Sequence, residues 1–218
     1  LDIMEASDWW IDKCNHWKEI FQPYAKDANC ADKIDIKYFL ATLSDALPKE
    51  AVILSDAGLT GAVTTGACRL RNGQRAIASL AQGEMGYVLP GAIGVATIAK
   101  GMVVAVSGDG SFMMNLQELQ TVVRNQFNIK VIIMNNNGYS GVRHGQKAHF
   151  RGKSIGTDPS NGLDLPNYGK IAEAFGIEYC LIRNVGDIAE GIEKVVATEK
   201  PFICEVMCDE TQVDLHNG

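Results

Sequence analysis

Two runs of this chain constrain its fold more than any other feature. MVVAVS (102–107) and KVIIM (130–134) are apolar almost throughout, with no alternation of inward and outward residues. A strand wetted on one side alternates; a strand covered on both faces need not, and such cover comes from helices packed on a parallel sheet. Helical and strand patterns take turns from Ile34 onward. Residues 35–47 suit a helix ended by Pro48, 51–55 (AVILS) a short strand, 61–68 a helix and 76–80 a strand. Residues 87–99 suit a helix of small residues, and Leu116, Leu119, Val123 and Phe127 mark another. After residue 134 an irregular segment leads to a helix near 167–175, a strand at 178–182, a helix at 186–198 and a strand at 202–207. The expected fold is α/β: a three-layer sandwich, mostly parallel sheet with helices on both faces and right-handed crossovers.

The first 30 residues differ in kind. Trp10, Trp17, Phe21 and Tyr24 approximate one helical face, with Trp9 beside them, and Pro23 to Lys33 reads as a linker. The expected division is 1–33, an amphipathic helix and linker leaving a preceding domain, and 34–218, one domain. A chain that opens at Leu1 in mid-pattern is expected to be a piece of something longer. Met85 to Val106 is apolar enough to suggest a membrane span, yet Pro90, Lys100 and four glycines interrupt it. A buried helix and a following strand account for it, and no membrane is expected.

With 20 basic and 26 acidic residues the net charge is −6, which gives no electrostatic reason to bind nucleic acid or an anionic surface. An anionic ligand must then be held by local dipoles or a metal. The six cysteines form no CxxC pair and read as small buried hydrophobes of a reducing compartment. With no signal pattern at the N-terminus, a cytoplasmic location is expected.

In a parallel sheet with helices on both faces, ligands sit at the carboxyl ends of strands, near a reversal of strand order. Strand 102–107 ends in Gly108-Asp109-Gly110-Ser111, and strand 130–134 ends in Asn135-Asn136-Asn137-Gly138-Tyr139. The 24 residues from 111 to 134 hold one helix and one strand, a single crossover, so the two ends can lie side by side. A carboxylate, an amide oxygen and a main-chain carbonyl are hard oxygen ligands of the kind Mg²⁺ takes, with phosphate oxygens and water completing its shell. Gly108 and Gly110 let the backbone approach a phosphate, and Ser111 at a helix start adds N–H donors. GDGS lacks the GxGxxG spacing of a dinucleotide binder.

GDG, 24 residues and NN together resemble the cofactor motif of thiamine diphosphate enzymes. GEMGYVLPGAIG (83–94) is similar to the GTMGFGLPAAIG stretch of acetolactate synthases, as is GDGSFMMNLQELQTVVR, and the likeness runs over roughly residues 35–210. The resemblance implies that Asp109, Asn136 and the Gly138 carbonyl bind Mg²⁺. It implies that Gly108, Gly110 and Ser111 meet the diphosphate of thiamine diphosphate, together with Gly58 and Thr60, and that Asn136 and Tyr139 also border the cofactor. Met85, by itself a core methionine, would be the bulky residue that bends the cofactor. The Gly83 carbonyl would accept from its 4′-amino group. Arg143 would bind a substrate carboxylate or serve as a structural or solvated arginine, and His144 and His149 would touch substrate or belong to the surface.

The same resemblance implies a small 2-oxo acid substrate, decarboxylation or carboligation, and a homodimer or homotetramer. It places the activating glutamate on a pyrimidine-binding domain of the same or a partner subunit, so no catalytic residue is expected in this chain and little activity from it alone. Two departures matter. Leu59-Thr60-Gly61 stands where acetolactate synthases usually have Gln-His-Gln, and NGYSGVRHGQ is closer to pyruvate and indolepyruvate decarboxylases. Other lyases of the cofactor class and a non-catalytic binding module stay open as alternatives. Residues 148–167 have no apolar period and are expected to form a lid over the cofactor.

Overall fold

A six-stranded sheet, parallel in every pairing, forms the middle of the computed structural model, which describes residues 7–22, 24, 27–79 and 81–212. The chain runs α1 (Asp8–Ile20), α2 (Ile36–Ala46), β1 (Val52–Ser55), α3 (Gly58–Ala67), β2 (Arg75–Ala78) and α4 (Val88–Ala96). It continues through β3 (Val103–Gly108), α5 (Asp109–Phe112), a 3₁₀ stretch at Met113–Glu118, α6 (Leu119–Asn125) and β4 (Ile129–Asn135). Then come α7 (Ser140–His149), α8 (Tyr168–Phe175), β5 (Glu178–Ile182), α9 (Ile188–Ala197) and β6 (Phe202–Met207).

The strand order is β2-β1-β3-β4-β6-β5. Val103 to Gly108 lie opposite Ile129 to Met134, so the two apolar runs are neighbours at the centre. One core packs Ile53, Val104, Val106, Ile132 and Cys204 against α2, α3 and α9. The other packs Leu54, Val103, Ala105, Val131 and Ile203 against α4, α6 and α8. Each fully buried Val or Ile is worth about 1.5–3 kcal/mol, so the centre of the sheet is a firm platform for the loops at its ends. The three-layer α/β expectation holds, and the sheet is parallel throughout.

Local chemistry sets the helix ends. The Asp35 carboxylate accepts the Tyr38 N–H at 2.9 Å to start α2, and the Asn167 side chain accepts the Lys170 N–H at 2.9 Å to start α8. Gly176, in the left-handed region, closes α8. The helix expected around Leu116 to Phe127 is 3₁₀ over its first residues and α-helical from Leu119 to Asn125, and just before it Asn115, at φ −134° and ψ 30°, kinks the 3₁₀ stretch internally.

Three expectations need correction. The segment after residue 134 is not irregular throughout, because α7 occupies Ser140–His149. Its sequence, SGVRHGQKAH, carries two glycines and no apolar stripe, and Arg143 is its one buried residue. α3 begins at Gly58, three residues before the expected start. The aromatic face of α1 ends with the helix at Ile20; Trp17 stacks on Phe21 at 5.5 Å, while Tyr24 packs edge-on against Tyr38 at 5.3 Å. No residue of α1 is buried. Pro23 of the expected linker, Leu80 of the expected strand and residues 213–218 of the expected domain lie outside the described residues. Among the described residues no helix is long and apolar enough to cross a membrane.

Candidate functional site

β1 leads outward to β2 on one side, whereas β3 leads to β4 on the other, so strand order reverses between β1 and β3. A cleft of about 500 Å³ opens at the carboxyl ends there, lined by Gly58, Thr60, Met85, Gly108, Asp109, Gly110, Ser111, Asn136, Gly138 and Tyr139. Ten residues far apart in sequence, each singled out as a site candidate, thus border one space. Gly83 is not among them; it stands in the preceding turn with φ +64°, its N–H donating to the Ser79 carbonyl at 2.9 Å.

Asp109 is the centre of the arrangement. Its Oδ1 accepts the Gly110 N–H at 2.7 Å, its Oδ2 accepts the Gly138 N–H at 2.7 Å, and its carbonyl accepts the Tyr168 hydroxyl at 2.8 Å. Burial pushes the carboxyl up to about 6, although the amides of Gly138 and Gly110 and the charge of Arg143 favour the anion. A buried carboxylate is costly to keep ionised unless further positive charge stands beside it. A divalent cation supplies one, and each carboxylate oxygen keeps a further lone pair to offer. Asn136 donates from Nδ2 to Ser140 Oγ at 2.9 Å, so its side-chain oxygen Oδ1 is the atom it can offer to a cation. The Gly138 carbonyl accepts the Ser140 N–H at 3.0 Å, closing the turn.

Among the described residues no three His, Cys, Asp or Glu side chains cluster as a metal cage. A cation here would rest on one carboxylate, one amide, one carbonyl and the oxygens of a ligand, the manner in which Mg²⁺ is usually bound with phosphates. The donor set fits the implied Mg²⁺ and diphosphate.

Tyr139 lies against Gly110: a Cβ on that glycine would stand 2.2 Å from a ring carbon, so no side chain fits there. Met85, 43% exposed, is a large apolar group facing the cleft. Its neighbour Gly86 is clamped on both sides, the N–H donating to Ser111 Oγ at 2.9 Å and the carbonyl accepting from Asn115 Nδ2 at 2.9 Å.

Arg143 is 8% exposed and does not line the cleft. Its guanidinium donates to the carbonyls of Asn136, Asn137 and Glu210 at 3.0–3.2 Å and lies 3.6 Å from Asp158. These bonds fit the structural alternative, an arginine that braces the Asn136–Gly138 turn from behind. His144 and His149 are exposed on α7 and border no part of the cleft. The stretch 148–167 is not a free lid over its whole length. Thr157 is fully buried, its carbonyl accepts the Tyr139 N–H at 2.9 Å, and Asp158 caps the 3₁₀ turn Pro159–Asn161.

Two supporting residues went unread in the sequence. Asp56 is buried after β1; its Oδ1 accepts the Val88 N–H at 2.9 Å and its Oδ2 the Ser107 hydroxyl at 2.5 Å. Burial pushes its carboxyl up while those donors favour the anion. It ties the start of α4 to the ends of β1 and β3. Asn115 is the second, through its bond to Gly86. The one available signal was position: Asp56 follows an apolar strand, where such sites gather.

Residues 56–206 match the family model of the thiamine pyrophosphate enzyme, C-terminal TPP binding domain, and the chain belongs to that family. It is acetolactate synthase-like in sequence. It is 32% identical over 183 residues to the acetolactate synthase isozyme 2 large subunit of Escherichia coli (strain K12), covering 83% of this chain and 33% of that protein. The isozyme 1 large subunit of the same organism is 34% identical over 162 residues, 73% of this chain and 28% of that one. Acetolactate synthase 2, chloroplastic, of Nicotiana tabacum is 29% identical over 181 residues, 81% of this chain and 27% of that one. The chain therefore spans about a third or less of the length of these relatives.

Proposed function

We propose that this chain is the Mg²⁺-dependent, thiamine diphosphate-binding domain of a 2-oxo acid decarboxylase or carboligase resembling acetolactate synthase. The observation that carries the reading is the Asp109 carboxylate held between the amides of Gly110 and Gly138, with Asn136 beside it, at the reversal of strand order. Asp109, Asn136 and the Gly138 carbonyl would hold the cation. Gly108, Gly110 and Ser111, at the start of α5, would face the diphosphate from one side of the cleft, and Gly58 and Thr60 from the other. Met85 would press on the bound cofactor from below and fix its conformation.

When bound, the cofactor supplies a carbanion nucleophile and an electron sink for 2-oxo acids. The chain's own work is to bind, orient and exclude water. Among the residues lining the cleft the carboxylate is Asp109, and it would be engaged with the cation. The proton-moving glutamate would come from a pyrimidine-binding domain of the same or a partner subunit, in a homodimer or homotetramer. The Asn137-Gly138-Tyr139 segment is similar to that of pyruvate and indolepyruvate decarboxylases, so the reading is not tied to carboligation of pyruvate.

Calorimetric titration with thiamine diphosphate, with and without Mg²⁺, tests the reading. Binding should require the metal, and Asp109→Ala should abolish that requirement together with most of the affinity. Equal binding by wild type and D109A, in the presence or absence of Mg²⁺, would refute the ligand set.

A further inference from the structure

Away from the cleft, β5 and β6 pair in parallel with Cys180 directly opposite Cys204. In-register residues of neighbouring strands share a face, and both thiols belong to the core covered by α9. Cys204 is fully buried, Cys180 is half-buried, and both are free thiols. Neighbouring strands stand roughly 4.7–4.9 Å apart, inside the range of about 4.4–6.8 Å that a disulfide spans between Cα atoms. The Cβ atoms must draw together slightly, and β5 can yield because it is the outermost strand of the sheet.

We propose that Cys180 and Cys204 are a thiol-redox site that closes to a reversible intrachain disulfide when it meets a low-molecular-weight disulfide. The surroundings assign the roles. The Cys204 thiol beside it is the largest influence holding Cys180 below the usual thiol range; burial opposes this, Lys194 of α9 adds to it, and Glu190 works against it. Cys204 is raised well above the usual range by Cys180 and by burial, with Cys208 and Glu205 adding to the rise. Cys180 is the half-buried and reachable thiol and Cys204 the fully buried one, so Cys180 is the attacking sulfur and Cys204 the resolving one.

In the first exchange the Cys180 thiolate attacks one sulfur of the external disulfide, whose S–S bond breaks and whose other half leaves as a thiolate. That thiolate takes the Cys204 proton, and the Cys204 sulfur attacks the sulfur of Cys180 and displaces the second half. Two protein thiols are oxidised, one external disulfide is reduced to two thiols, and the protons balance.

The test uses the reduced chain incubated with oxidised glutathione, followed by alkylation, intact mass and peptide mapping. Wild type should lose two hydrogens, yield one linked peptide pair joining Cys180 to Cys204, and return to the starting mass with dithiothreitol. Cys204→Ser should instead keep glutathione on Cys180, and Cys180→Ser should leave Cys204 unmodified. A stable glutathione adduct on wild-type Cys180, a link from either residue to any other cysteine, or two thiols that stay reduced would overturn the proposal. Should either variant fail to fold by circular dichroism, the wild-type peptide map alone decides.

Discussion

Oδ2 of Asp109 accepts the Gly138 N–H at 2.7 Å, so a single carboxylate joins the carboxyl ends of two adjacent strands. Gly138 can reach it because φ is +121° there and no side chain intervenes; a Cβ would stand 2.1 Å from the Thr157 carbonyl oxygen. Gly138→Ala should therefore cost on the order of 2–4 kcal/mol of stability and weaken Mg²⁺-dependent binding. Urea denaturation checks the first effect and calorimetry the second. Wild-type stability in this variant would mean that the turn re-forms freely.

Asn115 never enters the cleft, yet its amide holds Gly86 and so aims Met85. Loss of that bond should weaken thiamine diphosphate about 5- to 30-fold in Asn115→Ala. Inorganic diphosphate with Mg²⁺ should bind as before, because on the proposed reading Met85 would face only the organic part of the cofactor. A parallel fall for both ligands would place Asn115 in general support of the loop.

Tyr168→Phe keeps the ring beside Phe112, 5.9 Å away edge-on, and removes the hydroxyl that donates to the Asp109 carbonyl. A buried carbonyl deprived of its donor costs about 1–3 kcal/mol. The denaturation midpoint should fall accordingly, with the unfolding slope unchanged. An unaltered midpoint would show that another donor takes over.

Lys130 is fully buried on β4, and its ammonium donates to the Lys200 carbonyl. Burial pushes its pKa down to about 8, against the raising effect of Glu178 and Glu199. Between about 8 and the ordinary 10.5 the unfolded chain holds a proton that the folded chain has released, so this residue makes stability rise with pH across that window. Its cost is fully present below about 8. Lys130→Met should be more stable than wild type at neutral pH by on the order of 1–3 kcal/mol, with the gap closing by about pH 10. Urea titrations at the two pH values give the comparison, and a gap that does not close would exclude a charge penalty.

The central strands were legible because burial on both faces leaves an unbroken apolar run, as in Val103 to Val106. Asp109 and the asparagine run 135–137 could be set side by side from their places at two strand ends and the chain length between them, and only the resemblance singled out Asn136. α7 could not, since a helix held by one buried arginine has no apolar stripe to display. Asp56 and Asn115 were silent for another reason. They act through bonds to Val88 and Gly86, 32 and 29 residues away, and a single polar residue in a turn does not announce so distant a partner.

Arg143 grips the turn after β4 through the carbonyls of Asn136, Asn137 and Glu210, none of them a side-chain group. Every amino acid brings the same carbonyl, so mutation at positions 137 and 210 can alter the neighbourhood without removing the arginine's partners. The turn can thus keep its shape while the side chains around it diversify. Arg143 itself has no such freedom, because its guanidinium makes all three bonds.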